Sequence, residues 1–447
     1  MKALCGEVEV ALNPADPSGK TITLFVAKVP ALARSAEASA FTLIAGGPGQ
    51  ASTEAYTSLR GAFERVRRER DIILVDQRGT GRSSIQQCDT DEVDSIEVEF
   101  DAAVIREATE TCLAKLGDDV KFYTTSAAVS DLDTVREAFG YEQLDIYGVS
   151  YGTRVAQHYL RRYPDRTRTV ILDGVVPVNV PLGPGIALDA QRALDLIFTR
   201  CVSQSDCHLA FGDISEKFNE LLNRTREAPI ELILDDPISA EKVPATFGYG
   251  ELLMAVRMMS YSPETAALLP FMIDEAIKEN YQPLAAQALL NSENLTDMLA
   301  LGMHNSVACT EDVPFYDHDA IDSDRLAASY MGDLAYKGLI ETCKIWPRGP
   351  IDDDFTQPFA SAAPVLVLSG EVDPVTPPAN GDLAAGYLEL AKSVTLPGQG
   401  HGQIQIGCMP KLLADFVRTA NLDELEIECL DIQQPAPFFV SPSGPKP

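Results

Sequence analysis

The chain has 447 residues, and its 66 acidic residues outnumber its 36 basic ones, which gives a formal net charge of −30 at pH 7. A nucleic-acid backbone is neutralised by clustered lysine and arginine, so this charge argues against a nucleic-acid partner. No run approaches the roughly 20 apolar residues of a membrane-spanning helix. The chain is longer than one hydrophobic core usually supports, so we expect a large enzyme with a second structural unit rather than a small binding module.

The first predicted elements are β-strands. Residues 5–10 and 21–26 form an antiparallel hairpin in this prediction, because the turn-forming stretch 16–19 lies between them. From about residue 41 to residue 175, strand-like runs alternate with helix-like segments. This alternation is typical of a mostly parallel sheet flanked by helices.

Helical periodicity replaces this pattern between roughly residues 180 and 355, strands resume at Val365, and residues 411–417 are predicted as a closing helix. The predicted fold class is therefore α/β, with a large and mainly helical cap inserted into the sheet domain. The predicted divisions are residues 1–178 and 359–447 for the two parts of the core and residues 179–358 for the cap.

A glycine-rich turn, Gly46-Gly47-Pro48-Gly49, follows the first strand of the alternating region. Glycine lets the backbone come close to a substrate carbonyl, and Pro48 has no N–H to donate. The amide of Gly47 is therefore predicted as one donor of an oxyanion hole. In isolation, a tight turn without function would explain these residues better, so the prediction depends on the rest of the site.

Two charged residues, Asp76 and Arg78, follow the next strand-like run. We expect them to form a buried or half-buried ion pair that holds this loop beside the active site, rather than to take part in catalysis. The basic run at residues 65–70, just before that strand, is predicted as the solvated face of a helix.

The segment Gly148-Val149-Ser150-Tyr151-Gly152 has the pattern G-x-S-x-G and lies between a strand-like run and a helix-like run. A serine at a sharp strand-to-helix turn is held in a strained conformation that exposes its hydroxyl. The bare pattern is weak, but this context strengthens it. We predict Ser150 as a nucleophile and the amide of Tyr151 as the second oxyanion donor.

A nucleophilic serine needs a base and a carboxylate that orients the base. Of the five histidines, His401 lies in a glycine-flanked loop near the C-terminus and is the predicted base. Asp373 follows a buried strand-like run, where open parallel sheets place functional groups, and is the predicted acid. Glu371 and Asp173 compete for this role; for Asp173 we favour a structural role in which it accepts hydrogen bonds from backbone amides.

The chain order Ser150, Asp373, His401 is that of α/β-hydrolases. Together with residues 45–49, 76–84 and 148–153, these residues resemble the prolyl iminopeptidase and tripeptidyl aminopeptidase group of α/β-hydrolase serine peptidases. The resemblance spans nearly the whole chain and implies exopeptidase action at a free N-terminus, an inserted helical cap, and no metal or organic cofactor. Ala45 stands where proper prolyl iminopeptidases have histidine, which favours the secreted branch that resembles tripeptidyl aminopeptidases.

We therefore predict that Ser150 releases an N-terminal residue or short peptide through an acyl-enzyme. A carboxylesterase that uses the same triad is the alternative, because fold alone does not choose between peptide and small ester substrates. A catalytically inactive binding protein on the same scaffold is a third hypothesis.

Glu311 and Asp312 are the predicted substrate-binding residues of the cap. An aminopeptidase must pair the substrate ammonium, and partly buried carboxylates are its natural partners. A solvated acidic loop explains the same two residues equally well.

The chain has nine cysteines, without a C-x-x-C pair or a Cys/His cluster of zinc-site spacing. Disulfides are therefore the economical explanation, and they imply an oxidising compartment, so the protein is predicted to be secreted or periplasmic. Residues 1–4 are too short for a signal peptide, so we expect that a leader has been removed. If each cysteine pairs with the next one along the chain and Cys5 stays unpaired, the predicted disulfides are Cys88–Cys112, Cys201–Cys207, Cys309–Cys343 and Cys408–Cys429.

Overall fold

The structure is a computed structural model and describes residues 2–88 and 101–445. Its ten strands are β1 (Leu4–Ala11), β2 (Thr21–Val29), β3 (Ala40–Ile44), β4 (Ile72–Val75), β5 (Leu144–Val149), β6 (Thr167–Asp173), β7 (Ile230–Asp235), β8 (Lys242–Phe247), β9 (Val365–Gly370) and β10 (Ala391–Leu396). Eight of them form one sheet in the order β1-β2-β4-β3-β5-β6-β9-β10. The predicted hairpin is confirmed, since β1 pairs antiparallel with β2; β2 is antiparallel to β4, and the other pairs are parallel.

Helices cover both faces of this sheet and form most of the cap. They are α1 (Ser52–Phe63), α2 (Ala102–Leu116), α3 (Thr125–Ala138), α4 (Tyr151–Arg162), α5 (Ile186–Ser203), α6 (Ser205–Phe211), α7 (Ile214–Glu227), α8 (Tyr249–Met259), α9 (Pro263–Ala266), α10 (Leu269–Ile277), α11 (Gln282–Met298), α12 (Leu301–Val307), α13 (Ser323–Ala328), α14 (Leu334–Cys343), α15 (Pro378–Ala385) and α16 (Met409–Thr419). The α1 and α16 side chains pack in one hydrophobic cluster, and those of α3, α4 and α15 pack in another on the opposite face. Accordingly, β3, β4 and β9 are buried along their whole length, as parallel strands between two helix layers are.

The cap has a hydrophobic cluster of its own, which is built mainly from α5, α7, α8, α10 and α11. The two-stranded ribbon of β7 and β8 packs against it, so the cap is mainly but not wholly helical. Phe438 of the C-terminal segment also belongs to this cluster. Within the predicted cap range 179–358, however, Met303 and Val307 of α12 pack into the core cluster instead.

All four predicted disulfides are present: Cys88–Cys112, Cys201–Cys207, Cys309–Cys343 and Cys408–Cys429. Cys5 is a free and exposed cysteine. In the part of the chain that the structure describes, no helix combines the length and the apolar character needed to cross a membrane.

One prediction about charged residues is wrong, and another holds only in part. Asp76 and Arg78 are both buried but do not pair with each other. Arg78 donates to both carboxylate oxygens of Asp131 at 2.7 Å, whereas Asp76 accepts hydrogen bonds from Thr53. In the basic run, Arg65 and Arg68 are exposed, as predicted. At its end, however, Arg70 is buried and pairs with Asp145 at 2.9 Å, because the chain turns inward there to start β4.

Candidate active site

Ser150 lies between the end of β5 and the start of α4, in a left-handed conformation with φ 56° and ψ −128°. A residue with a side chain rarely adopts this conformation, which is typical of strained functional sites. The glycines around it are needed for space. A Cβ on Gly148 would meet the Gly152 carbonyl oxygen at 2.4 Å, and a Cβ on Gly152 would meet the Ile44 carbonyl oxygen at 2.2 Å.

The glycine-rich turn after β3 lies against Ser150. A Cβ built on Gly46 would be 2.9 Å from the Ser150 Cβ, and the next residue, Gly47, has φ +106°. Tyr151 is the first residue of α4, where a backbone N–H has no acceptor within the helix. The two predicted oxyanion donors therefore belong to residues next to this contact, since Gly47 follows Gly46 and Tyr151 follows Ser150.

The Tyr151 side chain is buried beneath the turn. Its hydroxyl accepts from Gln77 Nε2 at 3.0 Å and is 2.7 Å from Thr125 Oγ1. These contacts fix the start of α4, and with it the direction of the Tyr151 amide.

The predicted acid and base form a pair. His401 Nδ1 is 2.7 Å from Asp373 Oδ2, and Asp373 is wholly buried. Thr376 Oγ1 lies between them, 2.8 Å from the same Asp373 oxygen and 3.1 Å from His401 Nδ1. The other oxygen, Oδ1, accepts from the backbone N–H groups of Val375 and Thr376 at 2.9 and 2.8 Å.

The charges of this pair support each other. Burial opposes the ionisation of Asp373, but the His401 charge and the hydrogen bonds outweigh it and hold the Asp373 pKa below its ordinary value. Burial also opposes the charged form of His401, but Asp373 outweighs it and raises the His401 pKa. Since Asp373 accepts at Nδ1, the proton of the neutral ring is held there, and Nε2 is left as an acceptor.

Asp173 holds the histidine loop rather than the imidazole. Its carboxylate accepts from the N–H groups of Gln403, at 2.9 and 2.8 Å, and Ile404, at 3.1 Å, and from the hydroxyl of Tyr147 at 2.8 Å. Burial raises the Asp173 pKa to about 6, against these hydrogen bonds. The third candidate acid, Glu371, is exposed and accepts from the Gly398 N–H.

The backbone at the end of β6 contacts both Ser150 and His401. Ser150 N donates to the Asp173 carbonyl at 2.9 Å. A Cβ built on the next residue, Gly174, would be 2.9 Å from His401 Cε1. Ser150, His401 and Asp373 therefore lie at the same end of the sheet, near the carboxyl ends of β5, β6 and β9.

The cap contacts the loop of Asp373 and the loop of His401. Arg192 of α5 donates to the backbone carbonyls of Glu371 and Asp373 at 2.9 and 3.0 Å. The His401 N–H donates to the carbonyl of Tyr261, which follows α8, at 2.7 Å.

Glu311 and Asp312 lie at the end of the π-helical stretch Ala308–Asp312, and both are buried. Glu311 accepts from the N–H and the hydroxyl of Thr125, at 2.6 and 2.7 Å, at the start of α3. Asp312 Oδ1 accepts from Arg154 Nη2 at 2.8 Å and from the Leu182 N–H at 2.7 Å. They are therefore not a solvated loop.

Arg154, on α4, is the shared cation of these two carboxylates. Its Nη1 is 3.9 Å from Glu311 Oε2. Burial raises the Glu311 pKa to about 7, and Arg154 opposes this shift.

Sequence reasoning did not identify Thr376, Arg154, Thr125 or Tyr261. Only Thr376 could have been found from the sequence, because it lies three residues after Asp373 in a segment with the composition of a turn. The other three approach the site from distant parts of the chain. Among the described residues, no cluster of three or more His, Cys, Asp or Glu side chains could hold a metal ion.

Residues 40–404 match the family described as the alpha/beta hydrolase fold. The chain therefore belongs to the α/β-hydrolase family, in agreement with its mostly parallel sheet and the sharp strand-to-helix turn at Ser150.

Several proteins to which the chain is similar have peptidase names. The chain is 26% identical over 411 residues to serine protease Hip1 of Mycobacterium tuberculosis, which covers 84% of this chain and 77% of that protein. It is 31% identical over 188 residues to the tripeptidyl aminopeptidase of Streptomyces coelicolor, which covers 38% of this chain and 35% of that protein. The solved structure of the proline iminopeptidase of Mycobacterium smegmatis has 15% identity and a TM-score of 0.41, over 94% of this chain and 99% of that one.

Proposed function

We propose that the protein is a serine exopeptidase that releases an N-terminal residue or short peptide through an acyl-enzyme on Ser150. The observation that carries the proposal is the buried Asp373–His401 pair, at 2.7 Å, at the same end of the sheet as the strained Ser150. The peptidase names of the relatives support the choice of peptide over ester substrates.

In the proposed mechanism, Ser150 Oγ attacks the scissile carbonyl while His401 Nε2 takes its proton. The amides of Gly47 and Tyr151 donate to the oxyanion that develops, and Asp373 stabilises the imidazolium. His401 then gives its proton to the leaving amine. A water molecule, activated by the same imidazole, hydrolyses the acyl-enzyme and frees Ser150.

For the substrate amine, we propose Asp312 as the principal partner. Both Glu311 oxygens are bound by Thr125, but Asp312 Oδ2 accepts no hydrogen bond from any residue described in the structure. When both carboxylates are ionised, two negative charges face the single positive charge of Arg154, so the cluster has one uncompensated negative charge. A substrate ammonium would neutralise it.

The position of Asp312 also fits the acyl side of the substrate. Burial lowers the pKa of His304, and the Asp312 charge is near enough to oppose this shift. His304 Nδ1 is in turn 3.3 Å from the Pro48 carbonyl oxygen, in the oxyanion turn. The N-terminal part of a peptide is the acyl part, and it lies on that side.

The four disulfides support a secreted or periplasmic location, since such bonds persist in oxidising compartments.

The test compares kcat/KM on matched peptide anilides with free and N-acylated termini and on a short-chain p-nitrophenyl ester, with Ser150→Ala as the blank. We expect a preference for the free amine of roughly 100-fold or more, which corresponds to about 2.7 kcal/mol. Asp312→Asn should reduce this preference. Fast ester turnover without anilide cleavage would mean an esterase, and the absence of Ser150 labelling by an organophosphonate would mean an inactive scaffold.

A further inference from the structure

An arginine of the cap, Arg257, has no carboxylate partner among the residues that the structure describes. Its side-chain contacts are with Met331 Sδ and the Tyr261 hydroxyl, each at 3.4 Å. A guanidinium has five N–H donors, and these two long contacts satisfy little of that capacity. The chain has 66 acidic and 36 basic residues, so a shortage of carboxylates does not explain the missing partner.

Arg257 lies one aromatic ring away from the candidate base. Its guanidinium carbon is 5.9 Å from the centre of the Tyr261 ring, and that ring meets the His401 imidazole edge-on, with 5.3 Å between the ring centres. The Arg257 charge also reaches His401, where it opposes the rise of the imidazole pKa. The positive charge therefore lies beside the base.

A second unused donor lies near this guanidinium. The Tyr330 hydroxyl is buried and has no hydrogen-bond partner in the described part of the chain. Burial raises the Tyr330 pKa, and Arg257 opposes this shift. Met331, the next residue, contacts Arg257 directly. A guanidinium and free hydroxyl groups together suit a carboxylate, which accepts hydrogen bonds and carries the opposite charge.

The position of Arg257 in the site indicates which part of the substrate would bind to it. The base gives its proton to the leaving amine, so the leaving part of the peptide lies on the His401 side. The ammonium of the acyl part is assigned to Asp312, on the oxyanion side. A carboxylate at Arg257 would therefore belong to the leaving part.

We infer that Arg257, with the hydroxyls of Tyr261 and Tyr330, forms a subsite that binds a carboxylate on the leaving part of the peptide. The inference rests on the proposed exopeptidase function. The carboxylate has two sources: the α-carboxylate of a leaving part that is one residue long, and the acidic side chain of the first leaving residue.

The experiment measures kcat/KM for free-amine peptides whose last residue is the leaving group, after mass spectrometry of the products has established how many residues are released. One arm compares a leaving alanine with a leaving alanine amide, which tests the α-carboxylate. The other compares glutamate amide with glutamine amide, which tests the side chain. We expect the carboxylate to be preferred roughly 10- to 100-fold in at least one arm, the range expected for a charge-assisted hydrogen bond.

Variants assign the preference to the arginine. Arg257→Gln should reduce the ratio of carboxylate to amide substrates to about one, and Arg257→Lys should retain part of it. Arg226→Gln is the matched control, because Arg226 is a cap arginine that also contacts a tyrosine hydroxyl, that of Tyr249, but is exposed. It should leave the ratio unchanged.

Three other results would overturn the inference. A ratio near one in both arms, with rapid cleavage of the amide peptides, would remove the subsite and leave the exopeptidase function intact. An unchanged preference in a folded Arg257→Gln variant would assign the carboxylate to another group. If no free-amine peptide is cleaved while the ester is, both the proposed function and this inference are wrong.

Discussion

The Asp173 carboxylate accepts the Gln403 N–H with both of its oxygens, at 2.9 and 2.8 Å. Asp173 ends β6, and its own carbonyl accepts the Ser150 N–H. Asp173 therefore joins the turn at Ser150 to the loop of His401. His401 lies two residues before Gln403 in that loop. This link explains how the sheet can hold the proposed nucleophile and the proposed base, which are 251 positions apart in the chain, at the same end.

The dependence of activity on pH should follow His401. Asp373 raises the His401 pKa above its ordinary value of 6.5, and the base must be neutral to accept the serine proton. We therefore expect kcat/KM to rise with pH, with a midpoint above 6.5. Asp373→Asn should lower kcat by roughly 10⁴-fold, because the ring loses the partner that holds its proton on Nδ1. A midpoint at or below 6.5 in the wild-type profile would contradict the geometry of the pair.

Thr376 should act as a positioning residue. Its hydroxyl contacts both Asp373 and His401, so Thr376→Val should lower kcat about tenfold and leave KM nearly unchanged. Thr376→Ser retains the hydroxyl and should recover most of the rate. Equal kcat values for the valine variant and the wild type would show that the backbone amides alone orient Asp373.

Glu311 should make stability depend on pH. Burial raises its pKa from 4.5 to about 7, so the folded state holds this proton more tightly than the unfolded state does. The resulting stabilisation is present below pH 4.5 and is lost as pH rises to about 7, by up to about 3 kcal/mol.

Urea unfolding between pH 4.5 and 8 measures this loss. The free energy of unfolding of the wild type should fall more steeply with pH than that of Glu311→Gln. Replacement of the exposed Glu241 by glutamine is the control for net charge. Parallel curves for the wild type and Glu311→Gln would refute the assignment.

The Cys309–Cys343 disulfide should affect stability and substrate preference together. It closes a separation of 34 residues, and its replacement by two serines should lower the free energy of unfolding by about 4 kcal/mol. The control pair Cys201–Cys207 spans 6 residues, and its replacement should cost about 2 kcal/mol.

Only the Cys309–Cys343 variant should also lose preference for a free substrate amine, because Glu311 and Asp312 lie two and three residues after Cys309. Peptide anilides with free and acylated termini measure this preference at a temperature where both variants are folded. A loss of equal size in the two variants would assign the effect to general loosening of the cap.

Much of the fold could be predicted because its signals are local. The pattern around Ser150 places a strand, a sharp turn and a helix within about a dozen residues. The glycines there are needed because a side chain would collide with the neighbouring backbone. The four disulfides join neighbouring cysteines, so pairing in sequence order sufficed. The elements that carry Asp373 and His401 could be located in the same way, from a buried strand and a glycine-flanked loop.

Partners across the fold could not be predicted in this way. Arg78 finds Asp131 rather than Asp76, and Arg154 meets Asp312 across 158 positions. A buried charge pairs with whichever opposite charge the packing brings near, since leaving it unpaired in the interior is costly.

By itself, the sequence determined the alternation of strands and helices along the chain, the inserted cap, and the residue types that follow β3, β5 and β9, because these depend on periodicity and on backbone conformation within short segments. The structural role of Asp173 agrees with the one favoured from the sequence, but only the tertiary structure decided that the amides it accepts from are those of Gln403 and Ile404, in the loop of His401. It also decided that Tyr261 and Arg257 of the cap lie beside His401. Such contacts depend on how distant segments pack, and packing is a property of the whole fold.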